Sequence, residues 1–237
     1  MSKLIAIDDG HGMETAGKRT PIFPATGKFM HENEFNRATA DRLKTNMERC
    51  GFRTLMVAPG DADTPLRVRT NTANDAKADF FQSIHANADT GTWGKACGID
   101  TFHYPGSVEG TKAATIIQKH LIQGTLFKNR GIQEANFHVL RETHMPSVLC
   151  ECGFMDNMHD AQLLLTDAYR NECADEIAQG ICEYFGVTWV PANEMTFEQA
   201  IDILSKKAGI SPAYWKTKNN IDPYFAALMN KITTAWK

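Results

Sequence analysis

Residues 4–12 read LIAIDDGHG, a short apolar run that leads into two acidic residues and a histidine between two glycines. An apolar run followed by turn-forming glycines predicts a buried β-strand that ends in a tight turn. Further candidate strands occur at residues 52–57, 78–84, 98–104 and 147–150. We expect these segments to be strands of one sheet.

Amphipathic segments lie between or after these strands. Apolar side chains recur at helical spacing in residues 32–50, 66–76, 108–123 and 168–185. Strands that alternate with helices of this length favour right-handed crossovers between parallel strands. The sequence therefore predicts the α/β class, with a mostly parallel, twisted sheet flanked by helices.

A domain boundary is indicated near residues 190–193, where the sequence reads VPAN. We expect one α/β domain over residues 1–190 and a small all-α module over residues 194–237. The Asp222-Pro223 pair in that module is typical of a helix start. A segment of this size is marginal for independent folding, so it is expected to pack on the main domain or to self-associate as a homo-oligomer.

The composition narrows the classes of function. Of 237 residues, 43% are hydrophobic and 22% are charged, which is typical of a folded globular protein. A net charge of −3 and an isoelectric point near 6.2 offer no basic surface, so no nucleic-acid partner is expected. No apolar run approaches the ~18–20 residues of a membrane span, so no membrane insertion is expected.

The cysteines and the first residues indicate where the chain is made. Cys150, Cys173 and Cys182, three of six cysteines, fall in apolar segments where a reduced thiol packs as a small hydrophobe. Residues 1–7 lack the charged and long apolar regions of a signal peptide. We therefore predict synthesis in the cytoplasm, with reduced thiols and no signal peptide.

Side chains that can bind a metal are expected at one edge of the sheet. His11, His85 and Glu151 each follow a predicted strand, and a further acid, Glu32, begins the helix after the first strand. Taken singly, each has an ordinary structural explanation, such as a glutamate that complements a helix dipole. Together, two imidazoles and one carboxylate with an open position form the ligand set of catalytic zinc. The remaining carboxylate would be free to carry protons.

Short motifs recur in a fixed order over roughly residues 3–186. They are IDDGHG (7–12), ENEFN (32–36), Leu66 and Arg69 with Asn74, ADFFQSIHANA (78–88), GIDTF (98–102), NRG (129–131), VLRETHMP (139–146) and LCECGF (149–154). In these motifs the chain resembles the zinc-dependent N-acetylmuramoyl-L-alanine amidases of the amidase-3 family. These are cell-wall amidases of bacteria and their phages.

The resemblance implies one Zn²⁺ ion held by His11, Glu32 and His85. It also implies that Glu151 is the catalytic acid and base. Glu34 competes with Glu32 as a ligand, but the spacing of the motif fits Glu32 better.

Other residues of the motifs are candidates for binding the substrate. Arg141 and His144 lie in a matching loop, and Asn87 follows the third predicted strand. Two positions depart from the family pattern. Asp9 stands where proline or alanine is usual, which adds a charge beside the metal, and cysteines flank Glu151.

The resemblance implies a peptidoglycan hydrolase that cleaves the amide bond between N-acetylmuramic acid and L-alanine with zinc-activated water. Because no signal peptide is visible, we favour a phage endolysin that is released through a holin and acts on the cell wall. Residues 194–237 would then be a wall-targeting or self-association module. A sporulation or autolysin amidase of a bacterium is the alternative origin.

Two rival functions remain open at this point. One is a non-catalytic peptidoglycan-binding protein that keeps the fold and the metal. The other is a cysteine hydrolase that uses Cys150 or Cys152 with His144, although a thiol in apolar surroundings is a poor nucleophile.

A short loop bears on access to the metal. Some relatives carry an inserted helix that covers the zinc until an activator binds. The segment between His85 and Gly98 is too short for such a helix. We therefore expect a site that is open without an activator.

Overall fold

The computed structural model describes residues 2–125 and 127–192. A compact unit extends to Val190. The helical module predicted for residues 194–237 lies outside the described residues. Its fold and its part in self-association therefore stay predictions.

One sheet contains all the strands of the described residues. They are β1 (Leu4–Asp9), β2 (Arg53–Met56), β3 (Phe80–Asn87), β4 (Ile99–His103), β5 (Asn129–Glu134) and β6 (Ser147–Phe154). Their order across the sheet is β2-β1-β3-β6-β4-β5. Neighbouring strands are parallel except for β4 and β6, which are antiparallel. The mostly parallel sheet predicted from the sequence is confirmed.

Helices cover both faces of this sheet. They are α1 (Glu32–Arg49), α2 (Leu66–Asp75), α3 (Val108–Thr125), α4 (His138–Arg141), α5 (Met158–Leu164) and α6 (Asp167–Phe185). Helices α1, α3 and α6 pack on one face of the sheet through a large apolar cluster. Helices α2 and α4 pack on the other face through a smaller cluster. No helix within the described ranges combines the length and the apolar character that a membrane crossing requires.

Burial on both faces explains the sequence of β1. Ile5 and Ile7 enter the large cluster, whereas Leu4 and Ala6 enter the smaller one. A strand covered on both sides reads as a continuous apolar run rather than an alternating one. This run is the feature that makes β1 predictable.

The structure differs from the sequence-based expectation at five elements, one of which is β3: this strand continues through His85 to Asn87, whereas the sequence predicts an end at residue 84. The sequence does not predict β5, α4 or α5. β5 (NRGIQE) is a largely exposed edge strand without apolar alternation, and α4 and α5 have only 4 and 7 residues. The sequence also ends β6 too early. That strand continues through residues 151–154 because it pairs with β3 on one side and β4 on the other.

Helices α3 and α6 pack closely at Gly180. A β-carbon there would lie 2.8 Å from Cγ1 and 2.9 Å from Cα of Ile117. Gly180→Ala is therefore expected to lower the free energy of unfolding by about 1–3 kcal/mol, although alanine favours a helix. Urea unfolding followed by circular dichroism measures this change.

Gly124→Ala is the matched control for this prediction. Gly124 lies in α3, where the three atoms nearest to a β-carbon would all belong to the flexible side chain of Glu176 rather than to backbone. If Gly124→Ala lowers the free energy of unfolding as much as Gly180→Ala does, the close-packing explanation is contradicted.

Candidate metal centre

The three ligands implied by the family motifs lie together at the carboxyl ends of adjacent strands. His11 follows β1, His85 lies near the end of β3, and Glu32 is the first residue of α1. One ligand atom from each side chain lies within 4.8 Å of the others. The ring centres of His11 and His85 are also 4.8 Å apart, with the rings edge to face.

The turn after β1 allows the two histidines to approach each other. His11 has a φ of 64°, in the left-handed region that is uncommon for residues other than glycine. A β-carbon on Gly10 would lie 2.1 Å from the His85 ring, so only glycine fits there. The side-chain amide of Asn33 donates to three successive carbonyls of this turn. These hydrogen bonds stabilise a turn that the backbone alone would disfavour.

The two carboxylate oxygens of Glu32 have different surroundings. Oε1 accepts hydrogen bonds from Nδ1 of His85 at 2.9 Å and from the Ala86 N–H at 3.2 Å. Oε2 is buried, has no hydrogen-bond partner among the described residues, and lies 3.4 Å from Nε2 of His11. Burying such an atom without a partner is costly, and a cation would supply the partner. A carboxylate with two imidazoles fits Zn²⁺.

The ionisation states of His11 and Glu32 suit metal binding. Burial lowers the pKa of His11 to about 4, so its imidazole is neutral at pH 7 and can act as a ligand. Burial alone would raise the pKa of Glu32, but the hydrogen bond and charge of His85 lower it to about 2. For His85, burial alone would lower the pKa, whereas the bond to Glu32 raises it. Glu32 is therefore an anion at neutral pH.

Glu151 lies within β6 rather than after it. It pairs with His85 on β3 and with Asp100 on β4. The expectation that the strand ends at Cys150 is wrong, since backbone pairing continues to Phe154. Glu151 is therefore presented from a position that two neighbouring strands hold in place.

The Glu151 carboxyl is available for proton transfer. Its Oε2 is buried and has no hydrogen-bond partner in the described part of the chain. Burial raises the pKa of this carboxyl to about 8. A group with a pKa near the working pH can both accept and return a proton.

The metal cluster faces an open cleft with a volume of about 480 Å³. His11, His85 and Glu151 line it together with the exposed apolar side chains of Leu66 and Phe137. Residues 88–98, which connect β3 to β4, contain no helix. The cleft is large enough for a short peptide segment.

The comparisons with known proteins agree with this geometry. Residues 5–183 match the family described as N-acetylmuramoyl-L-alanine amidase. The chain belongs to this family. The resemblance drawn from the sequence motifs is therefore confirmed.

Individual relatives of this amidase come from bacteria and from a phage. The sporulation-specific N-acetylmuramoyl-L-alanine amidase of Bacillus subtilis (strain 168) is 37% identical over 187 residues, which cover 77% of this chain and 68% of the relative. The endolysin of Bacillus phage SPP1 is 32% identical over 192 residues, covering 77% of this chain and 66% of the relative. The crystal structure of N-acetylmuramoyl-L-alanine amidase from Clostridium difficile 630 aligns with a TM-score of 0.71 at 29% identity, covering 78% and 97% of the two chains.

Arg69 is a buried residue of this amidase whose contacts the sequence does not reveal. It donates to Oδ1 of Asp8 at 2.6 Å, to the His11 carbonyl at 2.9 Å and to Oδ1 of Asp63 at 3.1 Å. A buried arginine is stable only with such partners. Its place in a family motif is the one sequence signal that points to it.

The three candidate substrate-binding residues do not line the cleft of this amidase. Asn87 donates to Asp100, and Arg141 donates to Glu142. Arg141 and His144 line a separate depression beside α4 and the start of β6. Their participation in substrate binding stays a prediction.

Two acids near the metal ligands have other partners. Oδ2 of Asp9, at the position that departs from the family pattern, accepts a bond from Nε of Arg37 at 2.6 Å. The extra charge of Asp9 is therefore balanced within the fold. Oε1 of Glu34 accepts the His31 N–H at 2.8 Å, at the start of α1. Glu34 thus caps the helix, whereas Glu32 lies with the histidines.

The cysteines of this amidase do not resemble catalytic thiols. All six, which lie in the described ranges, are free. Cys150 and Cys152 are fully buried, and burial raises the pKa of Cys150 to about 12. A reactive thiol needs exposure and a lowered pKa. The structure therefore disfavours the cysteine-hydrolase alternative.

Proposed function

We propose that this chain hydrolyses the amide bond between N-acetylmuramic acid and L-alanine in peptidoglycan, with one zinc ion as cofactor. The observation that supports this most directly is Glu151, a carboxylate that lines the same cleft as His11 and His85 but is outside the three-residue metal cluster. The names of the relatives indicate which bond is cleaved.

His11, Glu32 and His85 would hold the zinc ion. When bound, zinc makes water more acidic and polarises the carbonyl group of the substrate. The neutral His11 and the ionised Glu32 are already in the states that bind a cation at neutral pH. Their positions are held by the Gly10 turn and by the first turn of α1.

Glu151 would carry the proton during the reaction. Its carboxylate would take a proton from the attacking water and deliver it to the departing L-alanine amine. A cation in the neighbouring metal site would lower its pKa from about 8, which increases the fraction of the basic form at neutral pH. Because no described residue is hydrogen-bonded to its Oε2, this oxygen keeps an unused acceptor position for the proton.

We propose further that the enzyme acts as a phage endolysin. One relative is an endolysin, and six free thiols suit synthesis in a reducing compartment before release through a holin. Residues 194–237 would then target the wall or mediate self-association. Expression in a bacterium with and without a holin tests this origin, and lysis that needs no holin would contradict it.

Digestion of purified cell wall tests the chemistry. Mass spectrometry should identify released peptides with a free L-alanine N-terminus. A chelator is expected to abolish this release, and added Zn²⁺ is expected to restore it. Thiol alkylation should leave it unchanged, because Cys150 and Cys152 are buried.

Two outcomes would contradict the proposal. Wall binding without peptide release would indicate a non-catalytic peptidoglycan-binding protein. Inactivation by alkylation, with no effect of the chelator, would indicate a thiol enzyme.

A further inference from the structure

Lys18 enters the cleft from the loop between β1 and α1. Its backbone carbonyl accepts the Glu32 N–H at 2.9 Å, which anchors the main chain to the start of α1. Its Nζ lies 3.9 Å from Oε2 of Glu32, and the side chain lines the cleft together with His11 and Glu151. The ammonium group is therefore placed beside the metal ligands and the proposed acid and base.

This ammonium group has no hydrogen bond to any described residue. Its 3.9 Å contact is longer than a hydrogen bond. Two other acids of the cleft are already paired. Asp8 lies 2.6 Å from Arg69, and Asp63 lies 3.1 Å from Arg69 and 2.7 Å from Thr15. Lys18 is thus a cation of the cleft that remains available for a ligand.

A metal ion would weaken the contact between Lys18 and Glu32, which is the one ion pair of Lys18 among the described residues. Glu32 would bind the cation, and like charges would repel the ammonium from that carboxylate. The Lys18 side chain is 43% exposed and has a flexible four-carbon stem, so its ammonium can turn into the open cleft. An anionic group of the substrate would there replace Glu32 as its partner.

We propose that Lys18 binds the free carboxylate of the stem residue that follows L-alanine, an inference that rests on the proposed amide hydrolysis. In peptidoglycan this residue is D-glutamate linked through its side chain, so its α-carboxyl group is either free or amidated. One residue, L-alanine, separates this carboxyl group from the scissile bond. Because successive Cα atoms are about 3.8 Å apart, the group lies only a few ångströms beyond that bond. An ammonium beside the metal site is within that reach. Lys18 thereby selects the acid over the amide.

Two soluble substrates that differ in one charge test this selection. They are the γ-methylamide of N-acetylmuramoyl-L-alanyl-D-glutamate, whose α-carboxyl group is free, and the corresponding compound in which that α-carboxyl group is amidated. Lys18→Met is expected to lower kcat/KM for the acid by about 10- to 100-fold, mainly through KM, because it removes a hydrogen bond between charged groups. For the amide, kcat/KM is expected to change by less than about twofold.

Two further variants serve as controls. Lys18→Arg keeps the positive charge and should retain the preference for the acid. Lys28→Met replaces an exposed lysine of the same loop that does not line the cleft. This substitution should leave kcat/KM unchanged for both substrates. A loss of acid preference in Lys18→Arg as complete as in Lys18→Met would overturn the role of charge.

A binding measurement distinguishes an effect on substrate recognition from an effect on the reaction. In the zinc-loaded Glu151→Gln background, calorimetry should show that Lys18→Met weakens binding of the acid by a similar factor and leaves the amide unchanged. The zinc content of each protein is measured in parallel. Loss of zinc from the Lys18→Met protein would overturn the proposal, because the effect would then act through the metal.

The remaining outcomes distinguish the two proposals. If Lys18→Met lowers kcat/KM equally for the acid and the amide, the carboxylate assignment is overturned. The proposed amidase function would not be affected by this result. If the zinc-loaded unchanged protein releases no L-alanine N-terminus from either substrate, the proposed function fails, and the assignment of Lys18 fails with it.

Discussion

Replacing Glu151 with glutamine is expected to lower kcat for muropeptide hydrolysis by about 10²- to 10⁴-fold, the range typical of losing a general acid or base. Glutamine has nearly the same shape but cannot accept and return a proton. Because Glu151 is outside the metal cluster, the zinc content is expected to be unchanged. Steady-state kinetics and zinc analysis of the same sample measure both quantities.

Glu142→Gln is the matched control for this substitution. Glu142 is exposed and pairs with Arg141 outside the cleft, so its replacement should leave turnover unchanged. Near-normal turnover of the Glu151→Gln protein would refute the acid–base role. Loss of zinc from it would instead show that Glu151 belongs to the metal site.

Replacing His85 with alanine is expected to abolish both zinc binding and turnover. Loss of a residue that merely supports a ligand costs about 10–100-fold in metal affinity, so loss of a direct ligand is expected to cost at least about 100-fold. The substitution also removes the donor that lies 2.9 Å from Oε1 of Glu32, which leaves that buried carboxylate less well satisfied. Competition with a chromophoric chelator measures the affinity, and the muropeptide assay measures turnover.

His159→Ala is the control for the histidine substitution. The His159 side chain is 78% exposed and does not belong to the metal cluster, so zinc binding and turnover should be retained. Circular dichroism establishes that both variants are folded. Unchanged zinc affinity in a folded His85→Ala protein would refute the proposed ligand set.

These two substitutions separate the metal from the proton carrier. The Glu151 variant is expected to keep zinc without turnover, whereas the His85 variant is expected to lose both. A non-catalytic wall-binding protein has no activity, so the Glu151 substitution could not reduce it. In such a protein the His85 substitution could reduce only the binding. The pair therefore also distinguishes an enzyme from a binder.

Much of the fold follows from patterns that extend over a few residues. The apolar run in β1 and the helical spacing in α1 and α6 predict these elements close to their observed bounds. β5 is missed because an exposed edge strand needs no apolar alternation. The end of β6 is missed because the CECG segment is held in the sheet by its two neighbours rather than by its own preference.

The site shows the same division between local and distant causes. The predicted strand ends and the family motifs were sufficient to predict that His11, Glu32 and His85 lie at one edge of the sheet. They were not sufficient to place Arg141 and His144, which are close to Glu151 in the chain but line another depression.

Local pattern established the α/β class, the family and the edge of the sheet where the metal ligands meet. Folding then settled which oxygen of Glu32 faces His11, how Arg37 balances Asp9, and that Lys18 reaches the cleft. Periodicity and turn preference act between neighbours in the chain, so they can be read before folding. Burial, hydrogen-bond partners and charge pairs join residues that are far apart in the chain, and they exist only once the sheet and its helices have packed.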